Sequence, residues 1–250
     1  MDHVLRVYQV PMGATAAQRE QIIRRCNHEA GILINLGQVP GVIKAYPSFV
    51  EDIGTCIPME AFPGISLQSW VERYLGDGAP ERPPLKDRLR SWLRLAAAID
   101  GAHRKGVVHR LLRPEVILLQ DQALRPDLRV GGFDRAKLGQ QLNLTVAPSR
   151  MDDERAVWAA PEVRRDFGVA EPASDQFSLG AILGLLAAGK PLFSSTRAFE
   201  QRGGLPPSLL DLDPRLPKSL DPVLRRMLAA RPEDRYPSLR EARQAVEQLL

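Results

Sequence analysis

The sequence predicts an α+β fold in two unequal parts, a small strand-rich part followed by a larger helical one. Three observations predict it. Runs of β-branched and apolar residues stand out in the first 60 positions, segments with helical periodicity stand out in the rest, and Phe62-Pro63-Gly64 makes a natural hinge between them. That hinge divides the chain into residues 1–63 and 64–250.

Residues 2–10 (DHVLRVYQV) read as a strand, closed by a turn at Pro11-Met12-Gly13. Thr15 is placed to cap a helix running from 16 to about 36, since Gln18 and Glu20 follow it and Ile22, Ile23, Cys26 and Ala30 recur at helical spacing. Val42-Ile43 with Ala45 and Tyr46 reads as a second strand, and Gly54 to Glu60 as a third. In the larger part, Leu67–Tyr74 is a short amphipathic helix, and 76–85 is a loop rich in Pro and Gly. Residues 86–105 form a periodic helix, and Val116–Leu119 and Leu128–Val130 are strand-like runs. Asp175–Ala188 is apolar nearly all round, as a helix buried on most sides must be. A Pro-rich connection over 206–217 precedes closing helices at Asp221–Ala230 and Ser238–Leu250.

Composition excludes several classes. Of the 250 residues, 44% are hydrophobic and 26% charged, ordinary for a globular protein. No apolar run approaches the roughly 18 residues of a membrane span, and no secretory leader pattern opens the chain. Cys26 and Cys56 are too few for a disulfide framework and lack metal-ligand spacing, which fits a cytoplasmic setting. The net charge of +4 comes without basic runs interleaved with aromatics, so a solvated basic face explains it better than a nucleic-acid surface.

Five stretches, in order, resemble the protein kinase superfamily. Residues 103–119 (HRKGVVHRLLRPEVILL) are similar to the catalytic loop, and 129–137 (RVGGFDRAK) fall where the metal-binding D-F-G triplet belongs. Ala160-Pro161-Glu162 matches A-P-E, 174–180 (SDQFSLG) resembles the start of the buried central helix, and 231–236 (RPEDRY) carries the late structural Arg. In the smaller part, Val4-Leu5-Arg6-Val7 resembles the third strand with Arg6 in the Lys position. Glu29 takes the place of the helix Glu that pairs with it. Met59 resembles the gatekeeper, followed by Glu60, Ala61 and Phe62 as hinge. The resemblance implies a two-lobed protein-kinase-like fold with a small β-rich N-lobe, here without a Gly-rich loop, and a larger helical C-lobe.

Phosphoryl transfer relies on positioning and charge stabilisation. The resemblance puts Leu111 where the family has its proton-accepting Asp, and Val116 and Gly132 where it has its metal-holding Asn and Asp. None of the three offers a side-chain oxygen. Arg6 and Arg113 stand in for two Lys, keeping charge but not the compact ammonium. A missing base alone costs about 10²–10⁴-fold, and loss of the metal ligands removes the main charge stabilisation. Asp134, two residues late in the reversed triplet Gly132-Phe133-Asp134, is expected to point away from the metal position, as a solvated loop residue or a partner of Arg135.

By contrast, the positions on which folding depends match the family. Glu162 and Arg235 occupy those of a buried ion pair, Asp175 that of the Asp that braces the catalytic loop, and His109 that of a packed core His. The expectation is a pseudokinase, with no catalytic or metal residues, acting through protein partners or neighbouring domains of a larger chain. A groove formed by Arg6, Glu29, Met59, Glu60 and Phe62 leaves room for weak, metal-independent ATP binding. Residues 138–158, with Thr145, Ser149, Asp152, Asp153 and Glu154, resemble an activation segment and read equally as a regulated or partner-binding loop or as an ordinary surface connection. A narrower resemblance, in RVYQVPMGATAAQRE, GFDRAK and APEVRRDFG, is to kinase-like domains of bacterial phage-growth-limitation (BREX-type) defence proteins. Two further readings stand beside it. One is an atypical kinase or nucleotidyl transferase using Glu115, Asp121, Asp127 or Asp134; the other is a nucleic-acid-binding accessory domain.

Overall fold

The computed structural model describes residues 3–52, 54–79, 82–124, 126–139 and 153–250. Strand β1 (His3–Tyr8) leads through a turn to helix α1 (Ala16–Asn35), and β2 (Phe49–Glu51) and β3 (Gly54–Glu60) follow. These strands make an antiparallel sheet in the order β1-β3-β2, with Val4 opposite Met59 and Arg6 opposite Ile57. Helix α1 starts at a capping box. The Gln18 amide donates to the Thr15 hydroxyl at 3.3 Å, and the Thr15 amide to the Gln18 side chain at 2.8 Å.

The expected strand over 42–46 does not form. Only isolated bridges remain, Val42 to Val130 and Ala45 to Met59, and the regular strand is β2, further on. Pro40 and Pro47 bracket the segment, and a proline has no amide to donate to a ladder.

The larger lobe opens with β4 (Ile65–Ser66), α2 (Leu67–Leu75) and α3 (Leu85–Arg104). Short strands β5 (Val107–Val108), β6 (Ile117–Leu119), β7 (Leu128–Val130) and β8 (Lys137–Leu138) follow, pairing as β4-β6-β7 and β5-β8. Then come α4 (Asp153–Ala156), α5 (Pro161–Arg165), α6 (Pro172–Ala188), α7 (Thr196–Gln201), α8 (Leu209–Leu212), α9 (Leu220–Met227) and α10 (Leu239–Glu247). Four of these, α4, α5, α7 and α8, were not expected; none exceeds six residues, too short for a helical period to register.

Helix α6 is the centre of the core, buried on almost every side. Pro172 stands in its first turn and Gly189 closes it at φ 79°. Trp92 of α3 donates from Nε1 to the Leu179 carbonyl of α6 at 2.8 Å. The buried Arg88 guanidinium donates to the Leu186 and Ala187 carbonyls at 2.7 and 2.6 Å, capping that helix end. The two lobes interlock where Val39 sits over Gly101 of α3. A β-carbon there would lie 2.5 Å from Val39 Cγ1. Among the described residues no helix is long and apolar enough to cross a membrane.

Candidate functional site

Between the lobes, α1 packs on β1, on β3 and on the turn Phe133–Arg135 that follows β7. Antiparallel pairing of β1 with β3 turns Arg6 toward α1, and the helical period brings Glu29 to meet it. Arg6 Nη1 lies 3.0 Å from Glu29 Oε1, and the Tyr8 hydroxyl donates to Glu29 Oε2. Glu29 is fully buried, and burial pushes its carboxyl up from the usual range while Arg6 and Tyr8 pull it down. Tyr8, two residues beyond Arg6 on the same strand face, was not singled out from sequence; its spacing from Arg6 was the available signal.

Val107 and Val108 lead into the loop that carries His109, Arg110 and Leu111. Arg110 is the one described non-glycine residue with positive φ, at 71°. Such a backbone costs about 1–3 kcal/mol and persists where the surroundings over-determine it. Here Asp175 of α6 does so. Its carboxylate accepts from the His109 and Arg110 amides at 2.8 Å each, and from His103 Nε2 at 2.8 Å. Burial alone would raise the Asp175 pKa, but these bonds, led by that of His103, hold it below the usual range. His109 donates from Nε2 to the Gly131 carbonyl at 2.9 Å and packs on Phe133, ring centres 4.6 Å apart. Full burial pushes its pKa down, so the ring is neutral.

Leu111 is packed against the core. Val116 ends a single 3-10 turn, and its carbonyl accepts from the Gly131 amide at 2.9 Å, which brings it over Gly132. Gly132 has φ 75°, the left-handed turn out of β7, and a β-carbon built on it would lie 2.5 Å from Val116 Cγ1. An isopropyl group and a hydrogen face each other at the two positions where the sequence resemblance expects metal ligands. The residues present therefore do not fit a divalent cation.

Asp134 meets one of its two sequence expectations, the pairing with Arg135, and departs from the other. It is not a solvated loop residue, since its side chain is only 16% exposed, and its closest partner is Arg25 of α1, at 2.6 Å. Arg135 lies 3.7 Å and Arg6 3.9 Å from the same carboxylate. The 3-10 turn Phe133–Arg135 rotates residue 134 toward α1, and the His28 ring bonds the Ala136 carbonyl at 2.8 Å on the same flank.

At the hinge Met59 is buried, the Glu60 amide donates to the Lys44 carbonyl at 3.0 Å, and the Glu60 carboxylate accepts from Arg129 Nε at 2.5 Å. Arg129 also lies 4.9 Å over the Phe62 ring. Sequence reading passed over Arg129, which offered no pattern before the lobes were joined. Of the other carboxylates, Glu115 faces Arg113 at 3.4 Å, Asp121 pairs with Arg73, and Asp127 takes Arg129 at 3.0 Å. They do not converge, and among the described residues no group of three His, Cys, Asp or Glu could hold a metal. Thr145, Ser149 and Asp152 lie outside the described residues, while Asp153 opens α4.

Far from the groove, Arg235 is buried and forms a fork on Glu162 at 2.8 and 2.9 Å. Ser174 donates to the same carboxylate at 2.8 Å, and the Ala173 and Ala229 carbonyls accept from Arg235. Burial pulls the Glu162 pKa up, and the Arg235 bonds outweigh it.

A small sheet with one inward helix, over a helical lobe whose central helix braces a loop at the cleft, defines a two-lobed kinase-like domain. The chain belongs to the protein kinase domain family, whose model matches residues 12–248. It is 25% identical over 252 residues to the serine/threonine-protein kinase PknH of Mycobacterium tuberculosis, covering 95% of this chain and 37% of that protein. It is 29% identical over 196 residues to Pkn1 of Myxococcus xanthus (76% and 27%) and 26% over 224 to PrkC of Bacillus subtilis (88% and 33%). The chain thus spans about a third of these relatives. A double mutant of the Mycobacterium tuberculosis PknI kinase domain superposes with a TM-score of 0.69 at 26% identity, covering 98% of this chain and 84% of that one.

Proposed function

We propose that this domain is a pseudokinase, a kinase-like module that transfers no phosphate and instead regulates or scaffolds other proteins. The observation that carries the reading is the packing of Val116 over Gly132, a distance of 2.5 Å from the β-carbon that an Asp there would need. Leu111 removes the proton acceptor as well. The frame around these positions is intact, with Arg6 on Glu29 and Asp175 under the loop, which supports a surface kept for binding.

Its partners, on this reading, are neighbouring domains of a longer cytoplasmic protein, of which it forms one part as in its relatives. The bacterial phage-growth-limitation setting is the one we favour. ATP, if it enters, is held weakly and without metal by the hinge and Arg6. The test is incubation with γ-labelled ATP, magnesium and generic protein substrates. No label above a protein-free blank is expected; transfer that disappears in Asp134→Ala would replace the pseudokinase with an atypical enzyme.

A further inference from the structure

Asp134 has a role that the pseudokinase reading does not explain. Three guanidinium groups, those of Arg6, Arg25 and Arg135, lie within 4 Å of its one carboxylate, and Arg6 also pairs with Glu29. The guanidinium groups of Arg6 and Arg25 also lie 5.4 and 5.6 Å from the Tyr8 ring centre, so one aromatic face orients both. Arg25 keeps unused donor capacity, since its buried Nε has no hydrogen-bond partner. Burial, and then the Arg25 charge, hold the Arg135 guanidinium below its ordinary pKa, a sign of how closely the cations are crowded.

These arginines come from three elements. Arg6 is on β1, Arg25 on α1, and Arg135 in the 3-10 turn after β7. Whatever neutralises them ties the helix to the turn. Like charges at this spacing repel when their counter-ion is taken away.

We propose that Asp134 is a built-in counter-ion that clamps α1 inward, and that its carboxylate fills an oxyanion site which a phosphate would occupy if the side chain were removed. The clamp needs no nucleotide, no metal and no modification of the chain. It goes beyond the pseudokinase reading and stands whether or not the domain transfers phosphate, because it rests on ion pairs outside the Val116–Gly132 contact.

The experiment is amide hydrogen exchange on the whole chain for wild type, Asp134→Ala, Asp134→Asn and Arg25→Gln, with melting temperature as the check on folding. Exchange in α1 should quicken by about tenfold or more in all three variants, while α6 stays protected. Inorganic phosphate at millimolar concentration should restore α1 protection in Asp134→Ala, whereas potassium chloride at equal ionic strength should not. Wild type should not respond to phosphate. Should Asp134→Ala fail to fold, Asp134→Ser, which also vacates the carboxylate volume, carries the same comparison. Unchanged α1 exchange in folded variants would overturn the clamp, and loss of protection without rescue by phosphate would overturn the oxyanion site.

Discussion

Val116 and Gly132 share one volume: the valine side chain fills the space in which any side chain on residue 132 would begin, 2.5 Å from its β-carbon position. A side chain added at 132 alone therefore meets Val116 before it can reach into the cleft. Gly132→Asp should destabilise the domain by about 1–3 kcal/mol, from overpacking and from a non-glycine residue at φ 75°. Adding Val116→Asn should recover part of that loss, because the two sites are in contact. Urea titration of the single and double variants measures both terms.

The Glu162–Arg235 fork holds the loop before α10 to the start of α5. Arg235→Ala leaves the part-buried Glu162 carboxylate without its cation, with the Ser174 hydroxyl still donating to it, and should cost about 3 kcal/mol. For a chain of this size that is a fall in melting temperature on the order of 10 °C, read by calorimetry.

His109 sets a pH dependence. Its folded pKa lies below the ordinary value of about 6.5, because burial disfavours the imidazolium. A depressed group contributes stability that is present above its unfolded pKa and lost as pH falls through the folded one. The unfolded chain takes up a proton that the folded chain refuses. Stability should thus decline from about pH 6.5 downward. The slope should flatten in His109→Gln, while Asp175 and Glu162, both held below their ordinary values, add their loss only below about pH 4. Denaturation midpoints at half-unit pH steps separate the two regions.

Two helical glycines should respond oppositely to alanine. At Gly31 of α1 a β-carbon meets nothing within 4 Å, so Gly31→Ala should stabilise by roughly 0.5–1 kcal/mol through helix propensity alone. At Gly184 of α6 it would lie 2.4 Å from Leu192 Cδ1, and overpacking of about 1–3 kcal/mol outweighs the same gain. Thermal melts of the two variants against wild type decide the signs.

The long elements were legible because their periods were. Residues 16–36, 86–105 and 175–188 carried enough turns for an apolar stripe, or an apolar whole, to declare a helix. The segment 42–46 misled because Val42, Ile43 and Tyr46 have strand chemistry. Whether a strand forms is decided by Pro47 and by the cross-lobe bridge to Val130. In the site, the positions of Arg6, Glu29, Leu111 and Val116 followed from order along known motifs. The partners Tyr8, Arg25, Arg129 and His103 did not, since each reaches a residue on another element; only Tyr8, two positions from Arg6 on one strand face, left a local spacing to read. For Asp134 the local pair with its sequence neighbour Arg135 was legible and forms, but the closer pair with Arg25 was not, because the turn at Gly132 aims the carboxylate at a helix more than a hundred positions away.

If the domain is the proposed pseudokinase, its cleft anchors no divalent cation, and melting temperature measured with ATP decides the matter. Wild-type protein should melt at the same temperature, within about one degree, whether saturating ATP is supplied with magnesium or with a chelator. A rise of several degrees that requires both ATP and magnesium would contradict it, because only a metal-bridged nucleotide bound to the folded state produces that linkage.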